Sequence, residues 1–415
     1  MRILLLNYEY PPLGGGAGVV TAALAASLAG RREHVDVVTA ATWPGEGGLP
    51  REARGVEHPT TPLLVNDPSD PPLAAPRLFR VRTRRRGVHD AGMGGAAGYL
   101  RAALPVVRDL VRRTRYDIVH FFFSLPTGAL LPLCDFGRAP VVVSLRGSDV
   151  PGYDESDLRL RVAHRLALPL TRWIWRRADR IVMLSEGLGR LAWRTSPDLR
   201  FTVIRNGVDL ELFHPGAAVP PAPGAPLRCL AVARLIERKG IANLLRALSL
   251  LERDRFTLDV VGSGPAEGAL RSLASKLELG GGVRFVGALD RPALAARYRQ
   301  ADVFTLSPRE EAFGNVFAEA LASGLPIVGS DVGGIPEFVP AGEAGFLVSP
   351  EDPAALAAAL RRMANDAGLR ARMGAANRER AVATLSWEHM TDRYLQVYRA
   401  LRRRLAGARP GPDLS

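Results

Sequence analysis

The chain has 415 residues, 55 Lys and Arg against 42 Asp and Glu, a net charge of +13, and 47% hydrophobic residues. This length predicts two or three domains with sizeable cores. Two cysteines, Cys134 and Cys229, each beside apolar residues, read as buried free thiols rather than a disulfide framework. The seven histidines lack ligand spacing, no strict Asp-x-Asp occurs, and no segment is long and clean enough to span a membrane. Residues 1–6 are too short for a signal peptide, so a cytoplasmic location is expected.

Residues 2–7 predict a first buried strand, 19–29 a helix and 35–40 a second strand. Gly15 and Gly16 lie in the connection between strand and helix. A dinucleotide-binding glycine loop, with Asp36 as the ribose acid, is one reading of this segment. It ranks low, because such a loop turns directly from strand to helix, and here residues 8–14 intervene, including Pro11 and Pro12. Residues 59–76, rich in Pro, read as a long surface loop. Residues 117–120 and 141–144 end two further strands, placing His120, Arg146 and Asp149 at strand ends. His120 reads either as a cleft residue or as a satisfied strand-end histidine. Arg146 with Asp149 reads equally as an anion holder with its partner or as a structural turn.

The charge is uneven. Up to Arg205 there are 29 Arg and 19 acidic residues, so this part carries +10 of the +13. Part of the excess lies in residues 80–86 and 159–180, the latter with Trp173 and Trp175. Such a surface suits an anionic membrane. The competing reading is a solvated Arg-rich helix with both tryptophans packed inside. Nucleic acid is not an expected partner, since no binding module is recognisable.

Residues 204–209 mark a domain junction and 214–226, with five Pro, a linker. The apolar run ending at Ala233 predicts a buried strand, with Arg234 at its carboxyl end and Lys239-Gly240 opening a helix over 241–251. In open α/β sheets ligands bind at that end of the strands. Arg and Lys there suit a diphosphate. Lys239 is one of only two lysines, the other being Lys276, in a chain whose remaining basic side chains are Arg. Gly262-Ser263-Gly264 ends the next strand, 283–287 is a short strand containing Val286, and Gly333-Gly334 follows a strand at 326–329.

Between these lie Glu311 and Glu319, eight residues apart. Residues 316–321 predict a short buried helix starting near Gly314 and stopped by Gly324 and Pro326. Its first free N–H groups, at Gly314, Asn315 and Val316, form an anion site with a carboxylate on either side. A diphosphate carrying a hydroxyl-rich sugar at each end has that layout.

In order and spacing, Arg234, Lys239, Gly264, Glu311, Glu319 and the Gly333-Gly334 pair resemble the motifs of bacterial-type retaining glycosyltransferases of family 4, over nearly the whole chain. The resemblance implies an α/β protein of GT-B fold: two Rossmann-like domains facing across a cleft, with a C-terminal helix crossing back to the amino-terminal domain. It implies an acceptor domain at 1–205, a linker at 206–226, a donor domain at 227–385 and the returning helix at 386–405. Arg234 and Lys239 would neutralise the leaving nucleotide diphosphate, and Glu311 would touch the donor sugar. Glu319 would hold the ribose, and Gly15 and Gly16 would face the donor phosphate. Val286 would lie near the base, and Gly264, Phe313, Gly314, Asn315 and Val316 would complete the donor site. His120, Arg146 and Asp149 are acceptor-cleft candidates, although many members have a His where this chain has Arg146. Implied too are a nucleotide-sugar donor, a glycan or lipid-linked acceptor and no metal or other cofactor. The alternatives are a nucleotide-sugar epimerase of the same fold, or a non-catalytic protein binding membrane or nucleic acid.

Overall fold

The computed structural model describes residues 1–41, 63–64, 75–83, 92–154, 157–216, 224–405 and 407. The chain divides into two compact units: Met1–Leu184 with Leu188–Arg205 and Trp387–Ser415, and Ser185–Gly187 with Asn206–Ser386.

The first unit is built from β1 (Arg2–Leu6), α1 (Gly16–Gly30), β2 (His34–Ala41), β3 (Leu63–Leu64), β4 (Arg77–Arg82), α2 (Gly92–Arg113), β5 (Ile118–Phe122), β6 (Val141–Ser144), α3 (Leu158–Arg177), β7 (Arg180–Met183), all but the first two residues of α4 (Glu186–Trp193) and β8 (Phe201–Val203). The strands form one sheet in the order β3-β4-β2-β1-β5-β6-β7-β8, parallel except where β3 meets β4. The apolar runs of β1, β5 and β6 explain their place at the centre. Their described side chains are buried on both faces, apart from Arg2 at the start of β1, as a sheet covered by helices on both sides requires. Starting from β4, the order is the doubly wound one, which reverses direction between β1 and β5.

The second unit contains β9 (Leu227–Val232), α5 (Ile241–Leu248), β10 (Phe256–Val261), α6 (Glu267–Lys276), β11 (Val283–Gly287), α7 (Arg291–Gln300), β12 (Val303–Leu306), α8 (Asn315–Ala322), β13 (Ile327–Ser330), β14 (Gly345–Val348), α9 (Pro353–Asn365) and α10 (Ala367–Thr384). Its sheet is wholly parallel, in the order β11-β10-β9-β12-β13-β14. This is again the doubly wound order, reversing between β9 and β12. The last helix, α11 (Trp387–Leu405), returns to the first unit. Met390, Tyr394, Leu395, Tyr398 and Leu401, spaced at three and four residues, enter a core with Ile3, Leu5, Val20, Leu24, Val37 and Phe122.

Three boundaries differ from the sequence reading. Helix α1 starts at Gly16, three residues before the expected start, and α5 stops at Leu248 rather than 251. The segment expected as a linker from residue 206 is instead packed from Asn206 to Phe213. Val208 pairs with Ser386, and its N–H donates to the Leu385 carbonyl at 2.7 Å. Phe213 is buried edge-on against Tyr298. This stretch contains no proline, and Val208, Leu210, Leu212 and Phe213 give it apolar side chains to pack. The rest of the expected linker, from 217 to 223, lies outside the described residues, as do most of 59–76 and Arg84 to Arg86.

Candidate functional site

The reversal point of the second sheet gathers the loops that follow β9 and β12. Arg234 stands just past the end of β9, with its side chain exposed. A short turn at Glu237–Lys239 and Gly240, at φ +69°, then lead into α5. On the β12 side, the Ser307 hydroxyl donates to the Gly240 carbonyl at 3.1 Å and accepts from Asn243 Nδ2 at 3.3 Å, locking the two loops together. Arg309 N–H donates to the Arg238 carbonyl at 2.9 Å.

These loops bring Lys239 and Glu311 into an ion pair between Nζ and Oε2, with both side chains mostly withdrawn from solvent. They lie 72 positions apart in the chain, and neither residue's local sequence points to the other. The Glu311 backbone is clamped as well. Its carbonyl accepts from Gly334 N–H at 3.0 Å, and a Cβ on Gly333 would fall 1.8 Å from that same oxygen. Gly333, at φ +56°, is therefore a glycine for two reasons, backbone conformation and space.

Helix α8 begins one residue beyond Gly314, whose φ of +93° turns the chain so that Asn315 and Val316 open the helix. No side chain caps it, so the first-turn N–H groups remain receptive to an anion. Phe313 is buried and stacked on Phe338 with centroids 4.6 Å apart, leaving its backbone as the part that can meet a ligand. Asn315 Oδ1 accepts from Asn206 Nδ2 at 2.8 Å. Gly264 packs against the Leu235 backbone, where a Cβ would lie 2.4 Å from its carbonyl oxygen. Val286 is half-buried on edge strand β11. Gly262 N–H donates to Gly287 O at 2.8 Å and Ala233 N–H to Val261 O at 3.0 Å, so the carboxyl ends of β9, β10 and β11 stay side by side.

Glu319 lies farther along α8, in surroundings that sequence reading did not find. Its Oε2 accepts from the Tyr298 hydroxyl at 3.1 Å, and Arg291 Nη1 stands 3.8 Å from Oε1. Arg291 is also 4.0 Å from Asp209 and lies over the Phe213 ring at 5.2 Å. Burial raises the Glu319 carboxyl to about 7, against the opposing pull of Arg291 and of the Tyr298 hydrogen bond. The only sequence signal for Arg291 was its place after Asp290, whose side chain caps α7 through Ala293 N–H at 2.9 Å.

The first-unit candidates separate into two groups. Gly15 precedes α1 and Gly16 is its first residue, so the glycine pair sits at a helix start, with Gly15 N–H donating to Glu9 Oε2 at 3.2 Å. Asp36 cannot serve as a ribose acid. It is buried, holds Arg77 through both oxygens at 2.6 and 2.7 Å, and accepts from the Tyr116 hydroxyl at 2.6 Å.

His120 is a satisfied histidine within β5. It is wholly buried, with Nδ1 hydrogen-bonded to Tyr398 at 2.7 Å and Nε2 to Ser144 at 2.7 Å. Burial, then Arg146, holds it well below the usual histidine range, so the ring is neutral. Asp149 is a loop staple, accepting from the N–H groups of Ser124, Arg146 and Gly147 at 2.6, 2.8 and 3.1 Å. Burial raises it to about 6. The Arg146 guanidinium lies over Phe122 at 5.5 Å and hydrogen-bonds Tyr394 of α11.

Two family profiles match the chain: Glycosyltransferase Family 4 over residues 14–212 and Glycosyl transferases group 1 over residues 218–380. A glycogen synthase of Mycobacterium tuberculosis is 30% identical over 97% of this chain and 95% of its own length. A GDP-mannose-dependent alpha-(1-6)-phosphatidylinositol monomannoside mannosyltransferase of the same organism is 27% identical over 96% and 98%. Among solved structures, sucrose-phosphate synthase from Thermosynechococcus elongatus superposes with a TM-score of 0.79 at 25% identity, over 98% of this chain and 100% of that one. The chain therefore belongs to the bacterial-type glycosyltransferases of GT-B fold, and it is an enzyme of that class.

Proposed function

We propose that the enzyme moves a sugar from a nucleotide-diphosphate sugar to a hydroxyl of a glycan or lipid-linked saccharide, with retention at the anomeric carbon. The product would belong to a cell-envelope polysaccharide or glycoconjugate. The observation that carries this reading is the Lys239–Glu311 pair at the sheet's reversal point, beside the uncapped start of α8. A cation and a carboxylate beside uncapped helix N–H groups support a site for a sugar diphosphate.

In this reading Arg234, Lys239 and the α8 start stabilise the departing diphosphate, the hard step of the reaction. Glu311 orients the donor sugar, and Glu319 accepts from the ribose hydroxyls. Gly264 and Val286 lie toward the base. Phe313, Gly314, Asn315 and Val316 present backbone to the phosphates, and Gly15 and Gly16 are further donor-binding residues. The leaving phosphate oxygen takes the acceptor proton, so no side chain serves as general base and no metal is required. Arg146, buried and cationic, serves the acceptor side. Transfer takes place in the cytoplasm, at the inner face of the plasma membrane when the acceptor is lipid-linked. No described helix is long and apolar enough to cross a membrane.

The test is a thermal-shift panel of UDP- and GDP-sugars, followed by turnover with saccharide acceptors and NMR of the product anomer. A ligand at 100 times its Kd adds about 2.7 kcal/mol of stability, a readily visible shift. An α-linked product from an α-linked donor supports the proposal. An inverted product overturns retention, and release of an epimerised donor without transfer overturns the reaction itself.

A further inference from the structure

Helix α3 carries an apolar face that is exposed among the described residues. Its buried residues are Thr171, Ile174 and Trp175, the last donating from Nε1 to Ser124 Oγ at 3.1 Å. On the other side Leu158, Val162, Leu166 and Trp173 are 66%, 50%, 79% and 39% exposed. At 3.6 residues per turn these four side chains fall within an arc of about 80° and form a row roughly 22 Å long. Arg161, Arg165, Arg172 and Arg176 border the row on one side, Arg159 and Arg177 on the other. The helix contains six Arg and no acidic residue. Arg172 Nε donates to the Thr195 carbonyl at 3.0 Å, which lays its stem along the helix flank.

This pattern differs from a solvated helix, which would keep its apolar side turned inward. Here the apolar side chains are turned outward, with arginines on both borders where they can snorkel to phosphates. We propose that the exposed face of α3 docks on a bilayer bearing anionic headgroups. Leu158, Val162, Leu166 and Trp173 enter the acyl boundary while the flanking arginines meet lipid phosphates. The charge complementarity selects this occupant: an apolar row alone would suit many partners, but six Arg along the helix, with Asp157 at the N-cap as the acid beside it, suit an anionic surface. The inference deepens the reading of a lipid-linked acceptor and rests on it for its purpose only. Vesicle binding needs no donor, so the two ideas fail separately.

The experiment is sedimentation of the full chain with phosphatidylcholine vesicles, with and without 30% phosphatidylglycerol. The protein should bind the anionic vesicles, bind pure phosphatidylcholine weakly and detach as salt is raised. Arg161→Gln/Arg165→Gln should weaken partitioning about 30-fold, on roughly 1 kcal/mol per surface Arg. Leu158→Gln/Leu166→Gln should weaken it by about tenfold or more. Quenching of tryptophan fluorescence by brominated anionic lipid should largely vanish in Trp173→Phe. Unchanged thermal unfolding of the variants, with unchanged thermal shifts by UDP- and GDP-sugars, shows that the fold and the donor site are intact.

Absence of wild-type binding to anionic vesicles overturns the proposal, as does wild-type affinity in both double variants. Self-association of the wild type that Leu166→Gln abolishes also overturns it, since the face then belongs to a second copy.

Discussion

Glu319 provides a quantitative test, because its carboxyl titrates near 7 and its proposed partner is a pair of ribose hydroxyls. A diol donates hydrogen bonds, so it prefers the ionised carboxylate. Binding a nucleotide sugar should therefore expel a proton from Glu319: about half a proton at pH 7 and about 0.9 at pH 6. If the bound carboxyl falls below about 5, affinity should rise about 25-fold between pH 5.5 and pH 7.5 and then level off. UDP-glucose or GDP-mannose is the right probe, since neither has a terminal phosphate that titrates in this range. Calorimetry in two buffers of different ionisation enthalpy counts the protons. Glu319→Gln should flatten the profile, and Tyr298→Phe should move its midpoint upward by removing a hydrogen bond that favours the charged form. Proton release that persists in Glu319→Gln would refute the assignment, as would a flat wild-type profile.

The same shift has a consequence without ligand. The folded value, about 7, lies above the ordinary value of 4.5, so between these limits the folded protein holds more protons than the unfolded chain. Stability should then fall as pH rises through that window, by about 3 kcal/mol at most. With 12% of the side chain exposed, the true figure is below that ceiling. Urea unfolding of wild type and Glu319→Gln at pH 5 and pH 8 measures it.

Arg234→Ala or Lys239→Ala should lower turnover by about 10² to 10³, the loss expected for one charge-stabilising donor, with wild-type turnover in a folded variant excluding the role. Glu311→Gln should impair transfer while leaving UDP or GDP affinity nearly unchanged, whereas Glu319→Ala should weaken the nucleotide itself; equal calorimetric losses would remove that division. Tyr398→Phe leaves one nitrogen of buried His120 without its partner and should cost about 1–3 kcal/mol in chemical denaturation, while truncation before Trp387 should abolish cooperative unfolding of the first unit.

The alternation of apolar strands with amphipathic helices was legible in the sequence because buried parallel strands are continuous apolar runs. Residues 2–6, 118–122 and 303–306 need no partner to be recognised. Local signals also placed α8, since Gly314 and Gly324 are conformational requirements that the chain declares by itself. Side-chain pairing was not legible. Lys239 with Glu311, Tyr298 with Glu319 and His120 with Tyr398 are separated by 72, 21 and 278 positions, and only the sheet order brings them together. His120 and Asp149 show the same limit. A strand-end polar residue looks functional until its partners are known.

Those partners also explain how α11 finds its place. An amphipathic helix with Met390, Leu395 and Leu401 on one face could satisfy burial against many apolar surfaces, since hydrophobic contact is not directional. The polar members of the same face remove that freedom. Tyr398 joins His120, His120 joins Ser144, and Ser144 lies 3.2 Å from Tyr394, which also accepts from Arg146. A shift of one turn would bury two tyrosine hydroxyls and a histidine without partners, at about 1–3 kcal/mol each. The network therefore specifies one register for the helix, and through Tyr394 it fixes the guanidinium of Arg146. Loss of the Tyr394 hydroxyl should then be felt first at Arg146, not in the apolar core, because Tyr394→Phe preserves the ring and deletes only the polar link.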